Sequence, residues 1–260
     1  MAFESFIGPN EPIIGDGCAV PILGSTGLEL PEHPDYSGVA EPFPSELLIP
    51  ESEWWDWIEE KEARKQQLSD LIRLANLPHK DQGQTNFCWI NSPVHCLEIV
   101  RLAQNQPTVI LSPASAGAPI KNFRNQGGWG REGLEWMIEH GVCPVENWPA
   151  NAIDRRYWTE ENRAIALNYR PVEWWVLKPR SIKELVSCLL RNIPVALGYN
   201  WWGHEVTGCD AIWVNGRIAI RIRNSWKNWG DFGFGILEGS KMLPDDAVAP
   251  RTAIPYSREV

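Results

Sequence analysis

The spacing of apolar residues changes from a helical to an alternating period along this chain. Behind Cys88, residues Ile90, Val94 and Leu97 recur at helical spacing, which predicts a helix that starts at the cysteine and ends near Gln104. Residues 52–75 read as one helix, with Ser52 as N-cap, an apolar stripe of Leu68, Leu71, Ile72 and Ala75, and Asn76 and Pro78 as its stop. Trp54, Trp55 and Trp57 at its start are expected to dock it. A third helix is expected from about Arg131 to His140, stopped by Gly141, and a fourth from the capping pair Ser181 and Glu184 to about Leu190. No period is visible between Gln104 and Arg124, and that stretch is expected to be irregular. Residues 151–170 are polar and expected to cross between lobes.

Downstream the period becomes two. Pro194 to Tyr199 is strand-like, and HEVTGCDAIWV, Asn215-Gly216 and RIAIRIRN form a hairpin signal. A hairpin brings its open ends together, so His204 and Asn224 fall near the same end. A strict two-residue turn sets Asn224 opposite Thr207, so a bulge or a longer loop is needed for the two side chains to meet. Prolines at 9, 12, 21, 31, 34, 42, 44 and 50 give residues 1–50 the look of an extended arm, suited to binding another subunit or wrapping its own lobe, or else a disordered tail. The resulting outline is an arm (1–50), a docking helix (51–78) and an α+β body (79–260), helical to about 170 and antiparallel β beyond. Residues from 244 onward give no reading.

Composition narrows the function. The formal charge is −9 and the basic residues are scattered outside the 217–223 strand, which argues against a nucleic-acid partner. No apolar run is long enough to span a membrane. The opening residues MAFESFIGPNEP lack a basic region followed by an apolar one, so no signal peptide is expected. The six cysteines show no metal or disulfide-scaffold spacing, and neither a metal nor another cofactor is expected.

Cys88 is the candidate nucleophile. A thiol attacks as the thiolate, and a helix N-terminus favours that form. The loop from Gln82 to Phe87 can fold back so that the Gln82 amide and the Cys88 backbone N–H converge as an oxyanion hole. One cysteine among six is more often a small buried hydrophobe, so the assignment needs a base from elsewhere. His95 lies two helical turns from Cys88, too far to serve; His79 precedes the loop and either faces the cleft or, as the plainer reading has it, the surface.

Taken in order, Gln82, Cys88-Trp89, His204, Asn224-Ser225-Trp226 and the WGDFGF segment at 229–234 resemble the papain-like cysteine proteases (peptidase C1-like). Leu111-Ser112-Pro113, Gly127-Gly128 and the LEWMIEHGVCPVENWP segment agree, and the resemblance runs from Pro78 to about Pro255. It implies a two-lobed fold with a cleft, and a peptidase in which His204, held by Asn224, activates Cys88. It further implies a polypeptide substrate lying along Gly127 and Gly128, and Trp226 shielding the His–Asn pair.

Several positions depart from that pattern. Glu205 stands where most relatives have a small residue beside the pocket for the second substrate residue; pointing inward, it would prefer a basic side chain there. Thr85 and Asn125 occupy positions that secreted relatives join by a disulfide, which suggests reducing surroundings, in the cytoplasm or in a particle assembled inside the cell. Pro93 falls in the second turn of the Cys88 helix. Two other readings use the same residues: a structural or attachment component of a large assembly such as a virus particle, tethered by the arm, and peptide ligation or isopeptide cleavage.

Overall fold

The computed structural model describes residues 5–7, 28 and 40–255. Most of the Pro-rich arm, Cys18 included, lies outside the described residues. The arm contributes two short strands, β1 (Ser5–Ile7) and β2 (Ala40–Pro42). Helices α1 (Trp54–Arg64), α2 (Leu68–Leu74), α3 (Cys88–Ala103), α4 (Pro113–Ile120), α5 (Gly130–His140) and α6 (Glu160–Ala166) follow. Then come β3 (Pro171–Val176), α7 (Ile182–Leu190), β4 (Val195–Tyr199), β5 (His204–Val214), β6 (Arg217–Arg223), β7 (Phe234–Glu238) and β8 (Asp246–Ala253). The architecture is α+β. Among the described residues no helix is long and apolar enough to cross a membrane.

One eight-stranded sheet runs in the order β1-β7-β6-β5-β4-β8-β3-β2. The arm supplies both edges, each pairing in parallel, and the remaining pairs are antiparallel. β8, in the tail that the sequence left unread, sits inside the sheet between β4 and β3. The β5–β6 turn is built by Asn215 (φ 51°) and Gly216 (φ 75°), the paired positive φ angles of a tight hairpin turn. A register shift follows, because Gly208 pairs with Ile222 while Asp210 pairs with Arg221, leaving Cys209 as the extra residue. This bulge advances Asn224 one step toward His204.

The single helix expected over 52–75 is two. Lys65, in the left-handed region at φ 52°, closes α1, and Gln67 opens α2 by giving its N–H to Asp70 Oδ2 at 3.2 Å. Ser52 is not its cap but lies in a short 3-10 turn, Glu51–Glu53. Of the three tryptophans expected to dock it, Trp54 is buried and donates Nε1–H to the Ile49 carbonyl at 3.0 Å, Trp57 packs partly buried against the core, and Trp55 lies half-exposed against Trp213. Helix α4 interrupts the stretch expected to be irregular. Pro113 occupies its first turn and residues 113–118 are all buried, so small side chains replace any amphipathic period.

Two large apolar clusters fill the molecule. One joins the sheet to α1 and α7 through residues such as Ile58, Leu185, Leu197 and Ile220; the other joins α3, α4 and α5 through Trp89, Leu97, Ala114 and Leu134. Pro93 lies within α3 without ending it, and the helix is buried from Cys88 to Leu102. Ser92 Oγ and Thr207 Oγ1 lie 3.3 Å apart, tying α3 to β5. The five described cysteines are free thiols. Asn125 accepts from the Asn86 N–H at 2.6 Å and donates Nδ2–H to the Gln84 carbonyl at 3.1 Å.

Candidate active site

Cys88 is the first residue of α3, and the Phe87 side chain supplies no cap. Its thiol is fully buried and lies against the backbone of Glu205, the second residue of β5. Burial pushes the Cys88 pKa well up, and the Glu205 carboxyl adds to the rise. The N–H groups of Glu205, Trp89 and Cys88 itself pull the other way. The lowering expected from the helix N-terminus is therefore outweighed, because desolvation of a thiolate exceeds what the backbone dipoles return.

His204 opens β5 and is fully buried. Its Nε2–H donates to Asn224 Oδ1 at 2.7 Å. The Ser225 N–H donates to the same oxygen at 2.7 Å, which fixes which end of the amide faces the imidazole. Trp226 stacks on the ring at 4.5 Å between centroids, and Trp202 meets it edge-on at 5.0 Å. Nε2 is thus committed to Asn224, which sets the tautomer of the ring.

The Gln82 loop is tied to the strand end that carries Asn224. Gln82 N–H donates to the Ser225 carbonyl at 2.8 Å, and Ser225 Oγ–H donates to Gln82 Oε1 at 2.6 Å. Gln82 Nε2 gives one hydrogen to the Thr85 carbonyl at 2.9 Å; a primary amide carries two. His79 is not a plain surface residue. It is partly buried and donates Nε2–H to the Asn224 carbonyl at 3.0 Å, and burial and then Arg223 push its pKa down to about 4.

A buried polar network stands behind these groups. Glu98 accepts from Lys80 Nζ at 2.6 Å, from the Leu111 N–H at 2.7 Å and from His95 Nδ1 at 2.9 Å. Arg223 reaches His95 Nε2 at 3.1 Å and the Leu77 carbonyl at 2.9 Å. His95 therefore belongs to the scaffold.

Gly127 and Gly128 are buried in the segment leading into α5. Gly128 forms an isolated parallel bridge with Leu28, whose N–H donates to the Gly203 carbonyl at 3.3 Å. A methyl group on Gly128 would come within 2.7 Å of the Trp89 indole. Glu205 points inward: it is 1% exposed, and its carboxyl lies close to Gly130. His204, Asn224, Trp226 and, through Ser225, Gln82 form one bonded group; Cys88 meets the backbone of Glu205, the residue after His204, and Trp89 packs on the Gly127-Gly128 segment. Sequence reasoning gave Ser225 no role of its own, read His79 as a surface residue, passed over Gly198 and left Asp246 in an unread tail. The unassigned tail holding two acids was the signal for Asp246.

No family model matches this chain. In sequence it is similar to cathepsin L 2 of Paramecium tetraurelia, 26% identical over 177 residues, covering 62% of this chain and 55% of the relative. The chain thus spans about half the length of the curated relatives it matches. In fold it is similar to the cysteine protease xylellain from Xylella fastidiosa, with TM-score 0.61, 18% identity, and coverage of 90% of this chain and all of that one. It is also similar to digestive procathepsin L 3 of Tenebrio molitor, with TM-score 0.58, 18% identity, and coverage of 67% and 66%.

Proposed function

We propose that this chain is a papain-like cysteine peptidase acting through Cys88, His204, Asn224 and Gln82. In the resting arrangement the thiol is protonated. On attack its proton passes to His204 Nδ1 and the sulfur bonds to the carbonyl carbon of the scissile peptide. The carbonyl oxygen becomes an oxyanion, which the Cys88 N–H and the Gln82 amide stabilise; each such donor contributes about 3 kcal/mol to the transition state. His204 returns the proton to the leaving amine as the C–N bond breaks, and water, deprotonated by His204, releases the acid and restores the thiol.

Asn224 holds the imidazole in the required tautomer, and Trp226 keeps water from their hydrogen bond. Gly127 and Gly128 offer backbone groups to an extended polypeptide. The observation that carries this reading is the 2.7 Å Nε2–Oδ1 bond on a histidine whose neighbour's peptide contacts the Cys88 thiol. Hydrolysis of an unfolded protein substrate by the full chain tests it. Wild type cleaves, and Cys88→Ala and His204→Ala each abolish cleavage while keeping the melting temperature. Equal cleavage by wild type and Cys88→Ala overturns it.

A further inference from the structure

Between α2 and the loop that leads into β7 lies a pocket of about 520 Å³, within the size range of small-molecule sites, and none of Cys88, His204, Asn224 or Gln82 lines it. Ile72, Leu77, Pro78, Phe232 and Phe234 make its walls apolar. Packing within the fold does not account for Phe232. Its φ is 55°, a left-handed conformation unfavourable for a bulky side chain, yet its ring is 67% exposed and joins none of the apolar clusters. An apolar body laid in the pocket would cover that ring.

The charge of the pocket has one sign. Among the described residues that line it, Arg73 and Arg223 are cationic and none is acidic. Both guanidiniums lie against the Phe234 ring, 4.7 and 5.2 Å from its centroid. Arg223 is buried, and its hydrogen bonds go to neutral acceptors: the Phe232 and Leu77 carbonyls, both at 2.9 Å, and His95 Nε2 at 3.1 Å. Burial pushes its pKa down to about 10 and Arg73 adds to the fall, against the pull of Cys209 and Glu98. Arg73 stands at the rim, where Nη1 bonds Asp231 Oδ2 at 2.9 Å. A buried cation bonded to neutral acceptors and faced by a second cation favours an anion beside it.

We propose that this pocket binds a small carboxylate with an apolar body, its ring or chain between Phe232, Phe234, Leu77 and Pro78 and its carboxylate on Arg73, in the field of Arg223. A guanidinium takes a carboxylate through paired N–H donors, and Asp231 is the internal carboxylate with which the ligand competes for Arg73. His79 also lines the pocket, and its Nε2–H holds the Asn224 carbonyl, so the ligand lies against a support of the candidate active site without entering that site.

Calorimetric titration of the full chain at pH 7.5 compares 4-phenylbutyrate with its amide and with 4-phenylbutylamine, which keep the body and change the charge. The acid binds with a Kd of about 1 mM or below, the amide binds about tenfold more weakly, and the amine does not bind. Arg73→Gln weakens the acid about tenfold, and Phe232→Asn, which suits a positive φ, weakens acid and amide alike. Asp231→Asn removes the competing carboxylate and tightens the acid several-fold, the reverse of what loss of a purely structural ion pair would do.

Affinity for the amide or the amine equal to that for the acid, no binding of the acid, or an Asp231→Asn chain that binds no tighter overturns the proposal. The His79 imidazole resonances locate the occupant: they move with the acid and not with the amine, and binding that leaves them in place overturns the assignment of the site. Should Arg73→Gln fail to fold, the charge series on wild type and Asp231→Asn decide the matter without it.

Discussion

His204 and Asn224 meet at 2.7 Å across a hairpin that carries one extra residue, Cys209, between its turn and its open end. The imidazole is thus oriented by backbone register as much as by the two side chains. Asn224→Ala keeps the fold and leaves the ring without its partner, lowering kcat/KM on peptides by about a hundredfold, mostly through kcat. A loss confined to KM would assign Asn224 to substrate binding instead.

His79 supports that pair from behind, and its titration has a definite sign. Its folded pKa is about 4 against an ordinary 6.5, so on acidification the unfolded chain takes up the proton first. Its contribution is full above pH 6.5 and is lost as pH falls toward 4. His95, also lowered to about 4, acts in the same direction, while Asp246, raised to about 6, loses stability as pH rises through its window. His79→Gln, which keeps a donor for the Asn224 carbonyl, should show a shallower loss of stability between pH 6.5 and 4 than wild type. Urea unfolding at matched pH measures this, and parallel curves would refute it.

Gly128 has no room for a side chain. Gly128→Ala would put a methyl group 2.7 Å from the fully buried Trp89 indole and 2.8 Å from Glu132 Oε2. Overpacking of this kind costs about 1 to 3 kcal/mol. The expected outcome is a lower melting temperature together with a raised KM, because the ledge itself is displaced; calorimetry and peptide kinetics read the two effects.

Glu98 is the acceptor at the centre of the network behind the site, bonded to Lys80, His95 and the Leu111 N–H. Glu98→Ala leaves a buried ammonium and a buried N–H without that acceptor, a loss of about 3 to 5 kcal/mol. Chemical denaturation measures it, and a cost under about 1 kcal/mol would mean that water takes over the vacated place.

The sequence displayed what local chemistry encodes. Asn215-Gly216 between alternating runs specified the hairpin, Ser181 and Glu184 the start of α7, and the apolar spacing behind Cys88 a helix expected to end near Gln104 and observed to end at Ala103. Other features depend on partners distant in the chain. Helix α4 has small side chains buried all round, so it shows no amphipathic period. The break at Lys65 uses a left-handed lysine where no glycine or proline announces it. β8 carries Pro250, which reads as a breaker, yet its neighbours β3 and β4 hold it inside the sheet. Asp246 meets Glu205 only through Gly198 on the strand between them, and no local pattern reports that register.

The central claim is that Cys88 is a nucleophile and not one more core thiol. Four other described cysteines serve as internal controls, all buried, with Cys96 and Cys188 pushed well up by burial and Cys143 to about 11. The full chain is incubated with a thiol-directed peptidyl epoxide, and intact mass and peptide mapping locate the adduct. The account predicts one adduct per chain on Cys88, slowed in His204→Ala and absent in Cys88→Ala. Modification of another cysteine in place of Cys88, or no modification of folded wild-type protein, would contradict it.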